Sequence, residues 1–251
     1  MKTEFIDIRT PAGVCDAFIA YPDNGTYPAV ILFMDAFGLR PGLYDMARKL
    51  ASHGYYVLLP NLFYRIRKAP VLDVAFPLRA DAMPDAIQAI RALLADYKPD
   101  LAMQDADAFL AFLSTQPRVR QGQIGTTGYC MGGALSLRVA ARHPEAVGAV
   151  ASFHAGNLAT DGAESPHLLL DRIQGEIYVA HADNDTSMPP EQIERFDAAL
   201  KSVAVAHASE LYAGAAHGFT MADLPAYDGA ALARHWENLL ALLGRNLQAE
   251  N

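Results

Sequence analysis

The chain has 251 residues, of which 52% are hydrophobic and 19% are charged, and this balance suits a folded domain with a sizeable core. Its formal net charge is −8 and it has no basic block, which argues against nucleic acid as a partner. The first residues alternate like a strand rather than a signal peptide, no segment approaches about 18 uninterrupted apolar residues, and two cysteines make no disulfide framework, so we expect a cytoplasmic protein without a membrane span.

The first part of the chain predicts four strands and a helix. Residues 5–9 and 14–21 alternate as strands do and are expected to pair in antiparallel fashion across a proline–glycine turn. Continuous apolar runs at 28–33 and 55–59 predict strands that are buried on both faces. Between these runs, apolar residues at helical spacing predict a helix over 43–53, which ends at a glycine.

A long irregular stretch, residues 61–83, comes next and carries four basic side chains. A connection of this length between regular elements is usually functional or mobile. The elements predicted after it are helices at 85–97 and 101–115, a strand at 123–127, a helix at 134–141, strands at 146–153 and 176–180, a helix at 190–200, a strand at 204–212 and a helix at 226–243.

This alternation predicts an α/β fold in which helices cover both faces of a mostly parallel central sheet, in one domain over residues 1–251. Ligands of such sheets bind beyond the carboxyl ends of the strands. Five chemically active side chains follow predicted strands: Asp35, Cys130, His154, Asp185 and His217. The topology is therefore expected to gather them at one edge of the sheet.

The sequence GYCMGG at residues 128–133 lies between a predicted strand and a predicted helix. This is the pattern of a nucleophile elbow, with cysteine in the place of serine. Glycines suit the tight turn, where the nucleophile takes a strained backbone conformation. The helix that follows points its positive end at the thiol, which favours a thiolate. Cys130 is therefore the predicted nucleophile, whereas Cys15 falls in an early strand and is interpreted as structural.

A cysteine nucleophile needs a base, and the base needs an acceptor that orients it. After an elbow, the expected chain order is nucleophile, acid, histidine. His217, in the glycine-rich loop after the last predicted strand, is the predicted base. Asp185 and Asp183 compete for the orienting role; we favour Asp185, because Asp183 suits a brace of its own turn. A metal site built on His181 and these aspartates is the alternative, but its spacing fits no zinc pattern, and no metal or cofactor is expected.

Acyl transfer also needs two N–H donors that stabilise the oxyanion. One is expected from the residue after the nucleophile, Met131. The other is expected from the loop that follows an earlier strand, at Ala36.

Three sequence elements together resemble the dienelactone hydrolases of the α/β-hydrolase superfamily: the GYCMGG element at 128–133, the loop from Asp185 to Pro189, and His217 with the glycine and phenylalanine after it. The resemblance covers residues 5–243. It implies the α/β-hydrolase fold and a Cys-His-Asp triad made by Cys130, His217 and Asp185.

The resemblance also implies an acidic residue after the earlier strand that contacts and tunes the thiol. Asp35 matches this position, although the family usually has glutamate there; a helix cap is the alternative role. The family carries an arginine four residues after the histidine that binds the substrate carboxylate, but this chain has Met221 there. Arg79 lies in the stretch that holds the family's second substrate-binding arginine. Because Met221 is apolar, the expected substrate is a less charged ester, lactone or thioester.

Other residues predicted to bind substrate are the side chains expected to wall the pocket: Phe37, Tyr64, His154 and Phe219. The sequence thus predicts a cysteine-dependent hydrolase of small esters or lactones, with a small molecule as its partner and an oligomeric state that the sequence leaves open. Two alternatives remain, a thioesterase or acyltransferase that uses the same triad, and a non-catalytic ligand-binding protein of the same fold.

Overall fold

In the computed structural model, which describes residues 1–248, strands alternate with helices along most of the chain. The strands are β1 (Lys2–Thr10), β2 (Gly13–Tyr21), β3 (Ala29–Phe33), β4 (Tyr56–Pro60), β5 (Ile124–Tyr129), β6 (Val147–Phe153), β7 (Glu176–Asn184) and β8 (His207–Ala216). The α-helices are α1 (Pro41–Ser52), α2 (Met83–Asp96), α3 (Pro99–Ser114), α4 (Met131–Arg142), α5 (Pro190–Leu200) and α6 (Gly229–Leu247). Short 3-10 helices lie at Ala80–Ala82 and Pro166–Arg172.

The strands form one twisted sheet in the order β1-β2-β4-β3-β5-β6-β7-β8. The strands β1, β2 and β4 pair in antiparallel fashion, and every pair from β4 to β8 is parallel. The strands β3 and β4 are buried along their whole length, which explains why their sequences are continuously apolar. The predicted α/β-hydrolase fold, with its mostly parallel sheet, is confirmed.

Two glycines of β5 show that helices cover both faces of the sheet. Side chains of a strand point alternately to opposite faces, so positions 125 and 128 face opposite ways. A side chain at Gly125 would meet Leu243 and Leu247 of α6, whereas one at Gly128 would meet Gly132 of α4. Helix α6 therefore packs on one face of the sheet and α4 on the other.

The structure extends β7 and β8 about four residues beyond the predicted strands. Their pairing continues to Asn184 and Ala216, through residues that are mostly polar in β7 and small in β8, where the apolar alternation has already stopped. As a result, Asp185 and His217 each follow directly on the end of a paired strand. The predicted domain over 1–251 includes 249–251, which lie outside the described residues. Within residues 1–248, no helix has the length and apolar character needed to cross a membrane.

Candidate active site

Cys130 lies at the turn between β5 and α4 with a φ of 54° and a ψ of −120°. This is a backbone region that residues other than glycine rarely adopt, so the strain predicted for the elbow is present. The turn is held by two backbone hydrogen bonds, from the Cys130 N–H to the Phe153 carbonyl (3.1 Å) and from the Gly133 N–H to the Cys130 carbonyl (3.0 Å). The thiol is partly exposed, in contrast to the fully buried Cys15.

His217 and Asp185 form a direct pair beside the elbow. The Nδ1 of His217 lies 2.6 Å from Oδ2 of Asp185. The other carboxylate oxygen accepts from the N–H of Ser187 (2.8 Å) and from its hydroxyl (2.6 Å), so Asp185 is fixed from both sides. Asp183, the competing carboxylate, accepts instead from the N–H of Gly214 at 2.8 Å and braces the end of β8. Asp185, rather than Asp183, is therefore the carboxylate that contacts His217.

The electrostatics of this pair favour charge separation. Burial lowers the pKa of His217, but the contacts with the Asp185 carboxylate and the Cys130 thiol outweigh burial and raise it to about 10. Burial raises the pKa of Asp185, but the hydrogen bonds from His217 and Ser187 outweigh burial and lower it below its usual value. A protonated imidazole beside a sulfur atom stabilises negative charge on that sulfur.

The two predicted oxyanion donors lie at the start of α4 and in the loop after β3. Met131 is the first residue of α4, so its N–H is free of intrahelical bonds. Gly132 packs so closely on the carbonyl groups of Phe33 and Met34 that a side chain there would overlap them. This contact places the loop that carries Ala36 against the first turn of α4. Within residues 1–248, the N–H groups of Met131 and Ala36 donate to no protein acceptor.

Asp35, the residue predicted to tune the thiol, is held by Arg40. Both carboxylate oxygens accept from the guanidinium, at 2.6 and 2.8 Å, and Oδ1 also accepts from the N–H of Phe37 at 3.0 Å. Among the described residues, its hydrogen bonds include none with Cys130. Burial lowers the pKa of Arg40, but the carboxylates of Asp35 and Asp223 outweigh burial and raise it. Sequence reasoning missed Arg40, a basic residue just before the first helix.

Cys130, His217 and Asp185 border one cavity of about 600 Å³. Its lining is mostly apolar by area and is contributed by one side of α4, by residues around the junction of α2 and α3, by the second 3-10 helix and by the loops after β6 and β7. Residues of this apolar wall are Leu94, Tyr97, Pro99, Ala134, Leu135 and Pro166. The arrangement offers a thiol nucleophile and a histidine base to a small, largely apolar molecule.

The six side chains predicted to bind substrate are not among the residues that line this cavity. The hydroxyl of Tyr64 donates to the buried Asp105 at 2.8 Å. Arg79 is exposed and pairs with Asp81 at 3.0 Å. Met221 is buried beside α1 and α6, in contact with a second cavity. Their substrate-binding roles stay predictions without support from the geometry.

The other three predicted residues, His154, Phe219 and Phe37, pack against one another or against His217 and Arg40. The ring of His154 lies 5.3 Å from that of His217 and 5.0 Å from that of Phe219, measured between centroids. Its Nε2 lies 2.7 Å from the hydroxyl oxygen of Thr220, and burial lowers its pKa well below the usual value. Phe37 packs near the Arg40 guanidinium, 5.5 Å from ring centroid to its central carbon. These side chains pack around the candidate residues rather than face the cavity.

Arg138 and Tyr97 line the cavity and were missed by sequence reasoning. A signal for Arg138 exists, because positions three, four and seven residues after Met131 share one face of a helix. Those positions are Ala134, Leu135 and Arg138. Tyr97 lies just beyond α2, and nothing in the local pattern points it toward the elbow.

Comparisons with known proteins identify the family and the fold of this chain. Residues 15–247 match the family model of the dienelactone hydrolase family. A Synechocystis sp. protein with the provisional name carboxymethylenebutenolidase is 30% identical, over 99% of this chain and 98% of that protein. The carboxymethylenebutenolidase of Rhodococcus opacus is 28% identical, over 80% of this chain and 73% of the relative. A Klebsiella pneumoniae crystal structure, described provisionally as a dienelactone hydrolase, superposes with a TM-score of 0.83 at 20% identity, covering 97% of this chain and 98% of that one, and shows the shared fold.

Proposed function

The chain belongs to the dienelactone hydrolase family, and we propose that it is a carboxylic ester hydrolase that cleaves small esters or lactones with Cys130 as its nucleophile. One observation carries the proposal: the strained elbow cysteine borders the same cavity as a histidine whose Nδ1 lies 2.6 Å from a buried carboxylate. The names of the relatives, which denote a lactone-opening hydrolase, support the substrate class.

In the first half of the proposed reaction, the Cys130 sulfur attacks the carbonyl carbon of the ester and a carbon–sulfur bond forms. His217 holds the proton that leaves the thiol, and Asp185 orients the ring and stabilises its positive charge. The N–H groups of Met131 and Ala36 stabilise the negative oxygen of the tetrahedral intermediate. The carbon–oxygen bond then breaks, His217 gives its proton to the leaving alkoxide, and a thioester remains on Cys130.

In the second half, a water molecule attacks the thioester carbon while His217 takes one of its protons. The carbon–sulfur bond breaks, the sulfur regains the proton from His217, and the carboxylic acid leaves. In a lactone, the alcohol and the acid are parts of one molecule, so the product is a hydroxy acid or its keto tautomer. The thiol-tuning role predicted for Asp35 stays a prediction, and its bonds to Arg40 favour a role in holding the loop that carries Ala36.

The test compares the unaltered protein with Cys130→Ala and with Cys15→Ala as the matched control. Cys15 is buried in β2 and burial raises its pKa, so its removal deletes a thiol that cannot reach substrate. We expect hydrolysis of p-nitrophenyl acetate, p-nitrophenyl butyrate and neutral lactones to disappear in Cys130→Ala and to persist in Cys15→Ala. Mass spectrometry of the quenched reaction should detect an acyl group on Cys130.

Turnover that persists in Cys130→Ala would overturn the proposal. Turnover that requires an added thiol or alcohol acceptor would indicate an acyltransferase with the same triad, and ligand binding without turnover would indicate a binding protein. The cytoplasmic location predicted from the sequence stays a prediction.

A further inference from the structure

Arg138 is a buried guanidinium that lacks a counter-ion. Its side chain lies on α4, two turns after Cys130, is only 9% exposed and lines the same cavity. One terminal nitrogen donates to the carbonyl oxygen of Glu164. The other, Nη1, is buried and has no hydrogen-bond partner within residues 1–248. Within residues 1–248, Arg138 forms no ion pair with a carboxylate, and those of Glu164 and Asp100 act on it only from a longer distance.

The next arginine on the same helix shows the ordinary alternative. Arg142, one turn further along α4, pairs with Asp107 at 2.7 Å near the surface. A buried charge without a partner is strongly unfavourable, so buried arginines are normally paired. Burial lowers the pKa of Arg138, which reflects this cost. An anion that enters the cavity and pairs with the guanidinium would offset this cost.

The wall that α4 contributes to the cavity between the elbow and Arg138 is apolar. Met131, Ala134 and Leu135 share the cavity-facing side of α4 with Arg138. Two turns of helix separate the α-carbons of Cys130 and Arg138 by about 12 Å, and an arginine side chain leans back toward the helix start, which shortens this distance. A molecule that reaches both groups therefore needs an apolar spacer of several carbon atoms.

Tyr97 lies at the same cavity as Arg138 and adds a second polar group to it. Burial raises the pKa of the Tyr97 hydroxyl, so that hydroxyl is neutral and able to donate a hydrogen bond. A carboxylate can accept from several donors, whereas a neutral group of similar size would leave the guanidinium uncompensated.

We propose that Arg138 binds a carboxylate of the substrate, so that the preferred substrates are esters in which an apolar spacer separates the reacting carbonyl from an anionic end. Half-esters of aliphatic dicarboxylic acids are the simplest members of this class. The proposal rests on the proposed ester hydrolase function of the same cavity. It also revises the expectation, drawn from the apolar Met221, that the substrate is less charged. The positive charge that binds the carboxylate comes from α4 rather than from the loop after His217.

The experiment compares pairs of esters that differ in one carboxylate. Mono-p-nitrophenyl adipate against p-nitrophenyl hexanoate places the charge on the acyl side, and p-acetoxybenzoate against phenyl acetate places it on the alcohol side. The proteins are the unaltered chain, Arg138→Met, Arg138→Lys and the control Arg142→Met. The measured quantity is the ratio of kcat/KM for the anionic ester to kcat/KM for its neutral partner.

We expect the unaltered protein to prefer the anionic member of one pair. Arg138→Met should lower that ratio by roughly 10- to 100-fold, the usual effect of a hydrogen bond to a charged group. Arg138→Lys should retain part of the preference, and Arg142→Met should retain all of it. The pair that responds identifies the side of the ester that carries the charge.

Binding measured without turnover separates failure of this inference from failure of the proposed function. Monomethyl adipate and its neutral counterpart methyl hexanoate are titrated calorimetrically into Cys130→Ala, alone and combined with Arg138→Met or Arg138→Lys. Preference for monomethyl adipate that requires Arg138 supports the inference even if no ester is hydrolysed. Equal binding of the two esters, or equal kcat/KM for both members of each pair in the unaltered protein, would overturn it while leaving Cys130-dependent hydrolysis of neutral esters intact. If Arg138→Met does not fold, the comparison of Arg138→Lys with the unaltered protein still tests whether Arg138 binds the carboxylate.

Discussion

Arg40 donates hydrogen bonds to both carboxylate oxygens of Asp35, at 2.6 and 2.8 Å, and both side chains are almost completely buried. The same guanidinium reaches Asp223 at 2.8 Å, in the loop that begins with His217. One arginine therefore joins the loop of a proposed oxyanion donor to the loop of the proposed base. The arginine comes from the start of α1, whereas the position four residues after His217 holds Met221.

Replacing Arg40 with methionine should destabilise the protein by about 3–5 kcal/mol, because it leaves two buried carboxylates without their partner. Urea unfolding measures the change in the free energy of unfolding. Arg142→Met is the matched control, because its ion pair with Asp107 is partly exposed and is worth about 0–1 kcal/mol. Similar losses for both variants would show that the buried pairs contribute little to stability.

Replacing Asp185 with asparagine should lower kcat for a responsive ester by about three to four orders of magnitude, because His217 loses the group that orients and charges it. Asp183→Asn is the control, since that carboxylate bonds the backbone of Gly214 instead. We expect it to retain kcat within a few fold. Steady-state kinetics on both variants measures these effects. If Asp183→Asn were the inactive variant, Asp183 rather than Asp185 would be the residue that orients His217.

The titration of His217 should reflect its two partners. Nuclear magnetic resonance of the unaltered protein should place the His217 pKa well above 6.5, in line with the value of about 10. Asp185→Asn and Cys130→Ala should each lower it, because the contacts with these two residues raise it. A midpoint near 6.5 that neither variant changes would contradict the proposed coupling of the three side chains.

Stability should depend on pH through the same pair. Because folding raises the pKa of His217 from 6.5 to about 10, its contribution is complete below about pH 6.5 and is lost as the pH rises toward 10. The pKa of Asp185 is lowered by folding, so its contribution is lost only as the pH falls below about 4. The unaltered protein should therefore lose more of its free energy of unfolding than Asp185→Asn between pH 6.5 and 10. Urea unfolding at several pH values measures this difference. If the free energies of unfolding of the two proteins changed in parallel with pH, the predicted stabilisation by the His217–Asp185 pair would be wrong.

Gly132→Ala should reduce both stability and activity, since the new methyl group would overlap the backbone of Phe33 and Met34. Overpacking of this kind costs typically about 1–3 kcal/mol, and here it displaces the loop that carries Ala36. Gly244→Ala is the matched control, because Gly244 lies within α6 with open space around its α-carbon. That change should stabilise the protein by up to about 1 kcal/mol and leave kcat unaltered, as thermal unfolding and steady-state kinetics would measure.

Patterns that act over a few residues predicted the fold well. Apolar runs identified β3 and β4, because a strand buried on both faces has no polar side to show. The boundaries of β7 and β8 were predicted too short, because pairing between neighbouring strands continues through Asn184 and Ala216 after the apolar alternation has ended. Where a strand ends depends on the hydrogen bonds that it forms with its partner strand. The local sequence does not identify that partner.

The sequence by itself determined the α/β fold, the elbow at Cys130 and the chain order of Asp185 and His217, because glycine spacing, apolar periodicity and strand ends are local properties. Only the tertiary structure decided that Asp185 rather than Asp183 contacts His217, that Arg40 holds Asp35, and that Arg138 faces the cavity in place of Met221. These outcomes join side chains that are far apart in the chain. The packing of whole helices and loops against the sheet decides which of two nearby carboxylates contacts the histidine. It also decides which of several arginines lines the cavity.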